Sequence, residues 1–200
     1  MITPKTDGDD LNIKFHLYYD RLRTCLFSNA ISLIENINAS DDIFDMYLEK
    51  KHEDISAILY LDETVTANDL EEGHNELDAA LWFISLLSRV DGLVLLAPNL
   101  DVLGFGVEIQ VREPPRLVVR ATDARATKRT RVPLDYTHFG TRHRSMMRFC
   151  SKVPRSVGFV VSQDGDVRAM TQLGDELVVW ENIRLRLDNF ERRKLRKRSP

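Results

Sequence analysis

Short continuous apolar runs alternate along this chain with longer stretches of helical periodicity, and that alternation leaves few folds open. Ser56–Leu61, Val90–Leu96, Val157–Val161 and Leu177–Trp180 are such runs, and their length and character predict strands buried in a sheet. Val102–Ile109 alternates as a paired strand does, with Gly104 and Gly106 placed to bend it or admit a ligand closely. Gln163-Asp164-Gly165-Asp166 is a hairpin signal, and Val167–Thr171 is its return strand. Between the runs, Asn75–Arg89 reads as a mostly buried helix, Asp62–Gly73 as an acidic connection, and Met146–Cys150 as a helix ending before Pro154. Residues 112–135 read as a polar loop enclosing a short strand at Leu117–Val119. The expected fold class is therefore α/β: a central mixed β-sheet flanked by helices, spanning residues 56–183.

Ahead of it, residues 1–10 read as a disordered start, and apolar residues from Leu11 to Ile37 recur at helical spacing. Asn38–Asp42 reads as a break, with Ser40 or Asp41 capping a short helix through Leu48. Residues 1–55 are thus expected to form an N-terminal helical extension. At the other end, Asn182–Leu195 predicts a helix running into a basic tail over residues 184–200, with six positive charges between Arg192 and Arg198. Such a run is usually a solvated tail, with nucleic acid as the minority partner.

The net charge of −3 conceals an asymmetry: residues 1–100 sum to −12 and residues 101–200 to +9. A basic half points to an anionic partner. Two cysteines, Cys25 and Cys150, make neither a disulfide framework nor a zinc quartet, and both sit among apolar neighbours. No apolar run approaches bilayer length and no secretory core opens the chain, so no membrane association and a cytoplasmic location are expected.

The charge concentrates its chemistry in Gly140-Thr141-Arg142-His143-Arg144-Ser145. Two guanidiniums offer rigid forks for phosphate oxygens, Thr141 adds a neutral donor, and His143 can donate to phosphate or ligate a metal. At a helix start, free amides would point at the same anion. A carboxylate at Asp91, heading a hydrophobic strand, either caps a neighbouring amide or holds Mg²⁺ or Mn²⁺ and activates a hydroxyl, with Gly92 leaving room for a nucleotide. There is no Gly-x-x-x-x-Gly-Lys-Ser/Thr loop.

Asp91-Gly92-Leu93, then Gly140-Thr-Arg-His-Arg-Ser145, then Val160-Val-Ser-Gln-Asp-Gly165 resemble, in order and spacing, the motifs of the diadenylate cyclase domain. The resemblance covers about residues 75–181. It implies a homo-oligomer with face-to-face sites that condenses two ATP into cyclic di-AMP, releasing pyrophosphate, with Mg²⁺ or Mn²⁺ as cofactor. Carried over, Asp91 helps activate the 3′-hydroxyl. Thr141, Arg142, His143 and Arg144 hold phosphates, and His143 is a possible metal contact beside Asp91. Ser162 touches phosphate, while Gly92, Leu93, Gly104, Gly106 and Gly140 line the nucleotide. Three departures stand out: Leu93 replaces an alanine, Gln163-Asp164 replaces paired glutamates, and Ser145-Met146 replaces Ala-Ala. Relatives with Ser-Gln-Asp-Gly resemble sensors, so the alternative is a domain that binds a nucleotide or cyclic dinucleotide and signals to a partner.

Overall fold

The structure is a computed structural model describing residues 1–4, 10–49, 56–162 and 165–183. The chain divides into two compact units, one built mainly from residues 11–108 and the other from residues 109–200 with the first residues of the chain. The α/β class holds: helices accompany a three-stranded and a five-stranded sheet.

The first unit contains β1 (Leu11–Tyr19), α1 (Arg21–Glu49), α2 (Ala57–Leu87), β2 (Leu93–Leu96) and β3 (Val102–Ile109). Its sheet has the order β1-β3-β2. Residues 11–19 form a strand where a helix was expected. Leu11, Ile13, Phe15, Leu17 and Tyr19 alternate strictly, and β1 finds a partner in β3. Asn12 bonds Glu108, Phe15 stacks on Phe105 at 5.0 Å, and Tyr18 bonds Asp101. Pairing supplies the ladder that periodicity in one strand cannot show.

The helices also differ from expectation. Asn38–Asp42 is no break, because α1 is continuous through it, and Ser56–Leu61 and Asp62–Gly73 both lie within or at the cap of α2. Ser56 is its N-cap, its hydroxyl accepting from the Ile58 amide at 3.3 Å. A six-residue apolar window cannot distinguish a buried strand from a helix start. The longer pattern can. Leu59, Glu63, Thr66, Leu70, Gly73, Leu77, Ala80, Ile84 and Leu87 repeat at alternating spacings of four and three and, with Ala67 and His74 beside them, are the residues of α2 turned from solvent. They meet an equally regular row on α1: Leu22, Cys25, Asn29, Ser32, Asn36, Ala39, Ile43 and Met46. Much of this seam is small or polar, letting the backbones approach: a Cβ on Gly73 would lie 3.6 Å from the Asn29 backbone, and Asn36 bonds Thr66.

The second unit contains β4 (Val118–Ala121), β5 (Arg131–Pro133), α3 (Thr141–Lys152), β6 (Val157–Val161), β7 (Val167–Leu173) and β8 (Glu176–Trp180). The order is β5-β4-β8-β7-β6, with β4 parallel to β8 and every other pair antiparallel. Met147, Phe149 and Cys150 of α3 are fully buried, as are Met170, Leu177, Val178 and Val179 of the sheet. Gly158 lets helix and sheet close up: a Cβ there would fall 2.4 Å from Met146 Cγ and 3.0 Å from Cys150 Sγ. The expected polar loop carries Arg131, whose guanidinium bonds Glu176 at 2.6 Å and the Ala126 carbonyl at 2.8 Å. Residues 1–3 are not a loose start either. Met1 and Thr3 are buried in this unit, with Thr3 Oγ1 2.7 Å from Ser156 Oγ.

The expected helix at Asn182–Leu195 and the basic tail fall, from residue 184 on, outside the described residues, as do Gln163 and Asp164 of the hairpin turn. The boundary expected at residue 55 falls in the undescribed stretch 50–55, between two helices that pack on each other.

Candidate functional site

The phosphate-binding expectations converge on the start of α3. Gly140 is its N-cap, with φ −63° and ψ 166°, and no side chain among the described residues caps the helix. The first intrahelical bond runs from the Arg144 amide to the Gly140 carbonyl, so the amides of Thr141, Arg142 and His143 precede the helical ladder. A Cβ on Gly140 would meet nothing within 4 Å. Neither backbone strain nor internal packing therefore requires glycine here; what its bareness preserves is open access to the helix amides. Thr141 and Arg142 are exposed. Arg144 is half-buried, and its Nε is a buried donor without a hydrogen-bond partner among the described residues.

His143 is held differently. Its Nε2 lies 3.2 Å from an Arg168 guanidinium nitrogen. A guanidinium only donates, so Nε2 accepts and the proton resides on Nδ1. Desolvation, then the neighbouring Arg168 charge, pushes the imidazole below its ordinary range. The Phe139 ring stacks on His143 at 5.6 Å and carries Arg168 over its face at 5.2 Å. Glu181 in turn approaches Arg168 at 3.5 Å and Arg120 at 3.6 Å. Phe139, Arg168 and Glu181 thus buttress the turn, and none was singled out from sequence. The signal is indirect: Arg168 sits within a predicted strand, at a half-buried position that an unpaired charge would not tolerate.

Ser162 lies at the end of β6, where its Oγ accepts from the Asp166 amide at 3.1 Å and its backbone closes the same turn. That hydroxyl retains its proton to donate, so the turn role and a phosphate contact are compatible.

Asp91, Gly92, Leu93, Gly104 and Gly106 belong to the other unit. Asp91 is exposed, and its carboxylate makes no hydrogen bond among the described residues, so it is not an amide cap. The contrast is Asp101, buried and bound by Arg23, Asn99 and Tyr18 at 2.8, 2.8 and 3.2 Å. The Arg23 hydrogen bond holds that carboxyl below its usual range.

The three glycines have a packing cause. Gly92 adopts φ +113°, and a Cβ there would fall 2.5 Å from the Gly106 carbonyl carbon. A Cβ on Gly104 would meet Ile13 Cγ2 at 2.7 Å, and one on Gly106 the Phe15 ring at 3.1 Å. They permit the close pairing of β1, β3 and the Asp91 turn. Leu93 is half-buried at the start of β2, facing Val107 across the ladder.

Among the described residues no three His, Cys, Asp or Glu side chains cluster to hold a metal. Asp91 offers one free carboxylate, which suits Mg²⁺ or Mn²⁺ bound mainly through substrate phosphates. His143 fits that role less well, since its Nε2 faces a cation.

No helix among the described residues is long and apolar enough to cross a membrane. Comparison of the chain with protein-family models, with curated proteins and with solved structures gives no match.

Proposed function

We propose that this chain is a diadenylate cyclase-like nucleotidyltransferase. The observation that carries the reading is the α3 N-terminus, uncapped among the described residues, where Gly140 leaves the helix amides open beside exposed Arg142 and an Arg144 Nε with no partner among those residues. Three independent donors to an anion within five residues are the equipment for gripping a polyphosphate. In this reading Thr141, Arg142 and Arg144 bind the phosphates of ATP. His143, oriented by Arg168, donates through Nδ1 or accepts a proton as the phosphates approach. Asp91 orients and deprotonates the 3′-hydroxyl. Each 3′-oxygen forms a bond to the α-phosphorus of a second ATP while the bond to the β-phosphate oxygen breaks, and two pyrophosphates leave. Asp91 and the phosphates would hold a divalent cation, which supplies charge neutralisation at the α-phosphate.

The test is incubation of the purified chain with ATP and either Mg²⁺ or Mn²⁺, with cyclic di-AMP as product. Asp91→Asn is expected to abolish turnover and leave ATP affinity within about threefold, because the guanidiniums remain. Absence of product with both metals at high protein concentration overturns the reading.

One observation favours a second reading. Leu93 places a bulkier side chain beside Gly92 than the resembling family has, which favours binding without reaction. A sensor would bind ATP or cyclic di-AMP in calorimetry and turn over neither. No binding of any nucleotide removes both readings.

A further inference from the structure

The loop between β4 and β5 is braced from within. One Asp123 carboxylate oxygen accepts from the Ala126 amide at 2.7 Å and from the Thr130 hydroxyl at 2.9 Å, and the Asp123 carbonyl accepts from the Trp180 indole at 3.1 Å. The Thr122 amide bonds the Thr130 carbonyl at 2.9 Å and closes the loop at its neck. Ala126 takes φ +45°, a left-handed conformation uncommon outside glycine, and is buried against Val119 and Val178. With these polar groups turned inward, the loop presents Arg125, Lys128 and Arg129 outward. All three are exposed, and none has a carboxylate or hydrogen-bond partner among the described residues.

Topology gathers further positive charge at the same place. β4 and β8 run parallel and β7 antiparallel to β8, so the ends of β4 and β8 and the start of β7 form one end of the sheet. The α3 start lies at this end too, since His143 reaches Arg168 near the start of β7, and it brings exposed Arg142. The chain also leaves β8 here. The Ile183 amide bonds the Val167 carbonyl at 2.9 Å, and the sequence beyond carries six positive charges between Arg192 and Arg198. Arg112 and Arg116, by contrast, precede β4 and belong to the opposite end, where the Leu177 amide bonds the Leu117 carbonyl. Register puts Gly158, Met170 and Val179 on the α3 face, so Val178, and the loop upon it, occupy the other face.

We propose that this end of the five-stranded sheet binds the phosphate backbone of duplex nucleic acid through Arg125, Lys128 and Arg129. Breadth selects a polymer over a single nucleotide. The loop and the α3 start lie on opposite faces at strands two apart. That is roughly 10 Å in the sheet plane alone, at about 4.8 Å per strand. A duplex, with one charge per about 1.7 Å of axis, offers phosphates across such a span. Composition selects nucleic acid over an acidic protein. Among residues 122–130 no exposed side chain is both large and apolar, as an anchor for a protein interface would be, whereas guanidiniums match phosphate oxygens. The same loop has no aromatic ring on which an unpaired base would stack, which selects duplex over single strand. Contacts to phosphate carry no sequence preference. The inference stands on this unit alone and does not depend on nucleotide chemistry, since none of the three cations has a role in holding ATP.

The experiment is fluorescence anisotropy of a labelled duplex with the full chain, without ATP, from about 50 to about 200 mM salt. DNA and RNA duplexes, which share the phosphate chemistry, are run as separate arms. Arg125→Ala with Arg129→Ala is expected to weaken binding at least tenfold at about 50 mM salt and to flatten the slope of log K against log salt by about 1.8, or about 0.9 per lost contact. Arg112→Ala with Arg116→Ala removes equal charge from the opposite end and should leave affinity within about threefold. Circular dichroism verifies folding; should the alanine pair misfold, Arg125→Gln with Arg129→Gln makes the same test. Absence of binding to either duplex at the lower salt overturns the proposal, and so does equal weakening by the two pairs of substitutions. A single strand bound more tightly than the duplex overturns it as well. Displacement of the duplex by polyglutamate at equal charge concentration would assign the face to an acidic protein instead. Loss of duplex binding with ATP binding intact sinks this inference alone.

Discussion

At the scale of single residues, two glycines that look alike in sequence do opposite work. Gly92 is forced by the fold, with positive φ and backbone 2.5 Å from where a Cβ would stand. Gly140 is free of both demands. Gly92→Ala is therefore expected to cost roughly 1–3 kcal/mol in denaturant unfolding. Gly140→Ala should leave stability within about 0.5 kcal/mol and weaken ATP binding, measured by calorimetry, because only the ligand would feel the methyl group. The reverse ranking would mean that the α3 turn is structural. His143 supplies a pH signature. Its folded-state pKa lies below the ordinary value of 6.5, through desolvation and then Arg168. On acidification below pH 6.5 the unfolded chain takes up the proton first, so stability falls with pH until the folded imidazole is also charged. An imidazole beside bound phosphate should titrate higher than in the free chain, so NMR titration with and without ATP reads the contact directly. An unchanged His143 pKa in saturating ATP would remove it from the phosphate site.

At the scale of elements, one side chain of β5 adds a tie beyond its ladder with β4. Arg131 is 14 % exposed and bridges Glu176 at the start of β8 to the Ala126 carbonyl of the preceding loop. Truncating it strands a mostly buried carboxylate and a carbonyl together. Arg131→Ala is expected to destabilise by about 1–3 kcal/mol, and Arg131→Lys to recover only part, since lysine lacks the fork that serves both acceptors. Equal stability of Arg131→Ala and wild type in urea would contradict this. The helical hairpin teaches a different lesson. Asn, Ser and Asp between residues 36 and 45 favour caps and turns locally, yet α1 runs straight through. Packing against α2 along a shared seven-residue repeat outweighs a few tenths of a kcal/mol of propensity per residue.

At the scale of the whole molecule, the buried thiols report on integrity. Cys25 and Cys150 are both buried, and burial pushes the Cys150 thiol up to about 12. Thiolate is the reactive form, so Cys150 in the native chain should react with a disulfide reagent orders of magnitude more slowly than in denaturant. Rapid native labelling of Cys150 would mean that the packing of α3 on the sheet opens readily. Because Cys150 is a buried residue of the same helix whose start carries Gly140 and Arg144, ATP should slow its labelling further if ligand binding stabilises that unit.

Legible in the sequence alone are the strands between Leu93 and Trp180 other than β5, the helix before Pro154, and the cluster of cationic and hydroxyl donors from Thr141 to Arg144. In each case the information is local: a short apolar run, a turn signal, or neighbouring cations. Pairing across the fold makes Leu11–Tyr19 a strand, since its residues fit helical and strand periods alike and β3 supplies the ladder. The same holds for Ser56–Leu61 as a helix start, because α1 extends the seven-residue repeat beyond any short window. It holds most of all for the packing at Gly104 and Gly106, which accommodate Ile13 and Phe15 just over ninety residues away in sequence. Close approach between distant segments leaves no mark on the residues around it, so a glycine shows that something comes near without showing what.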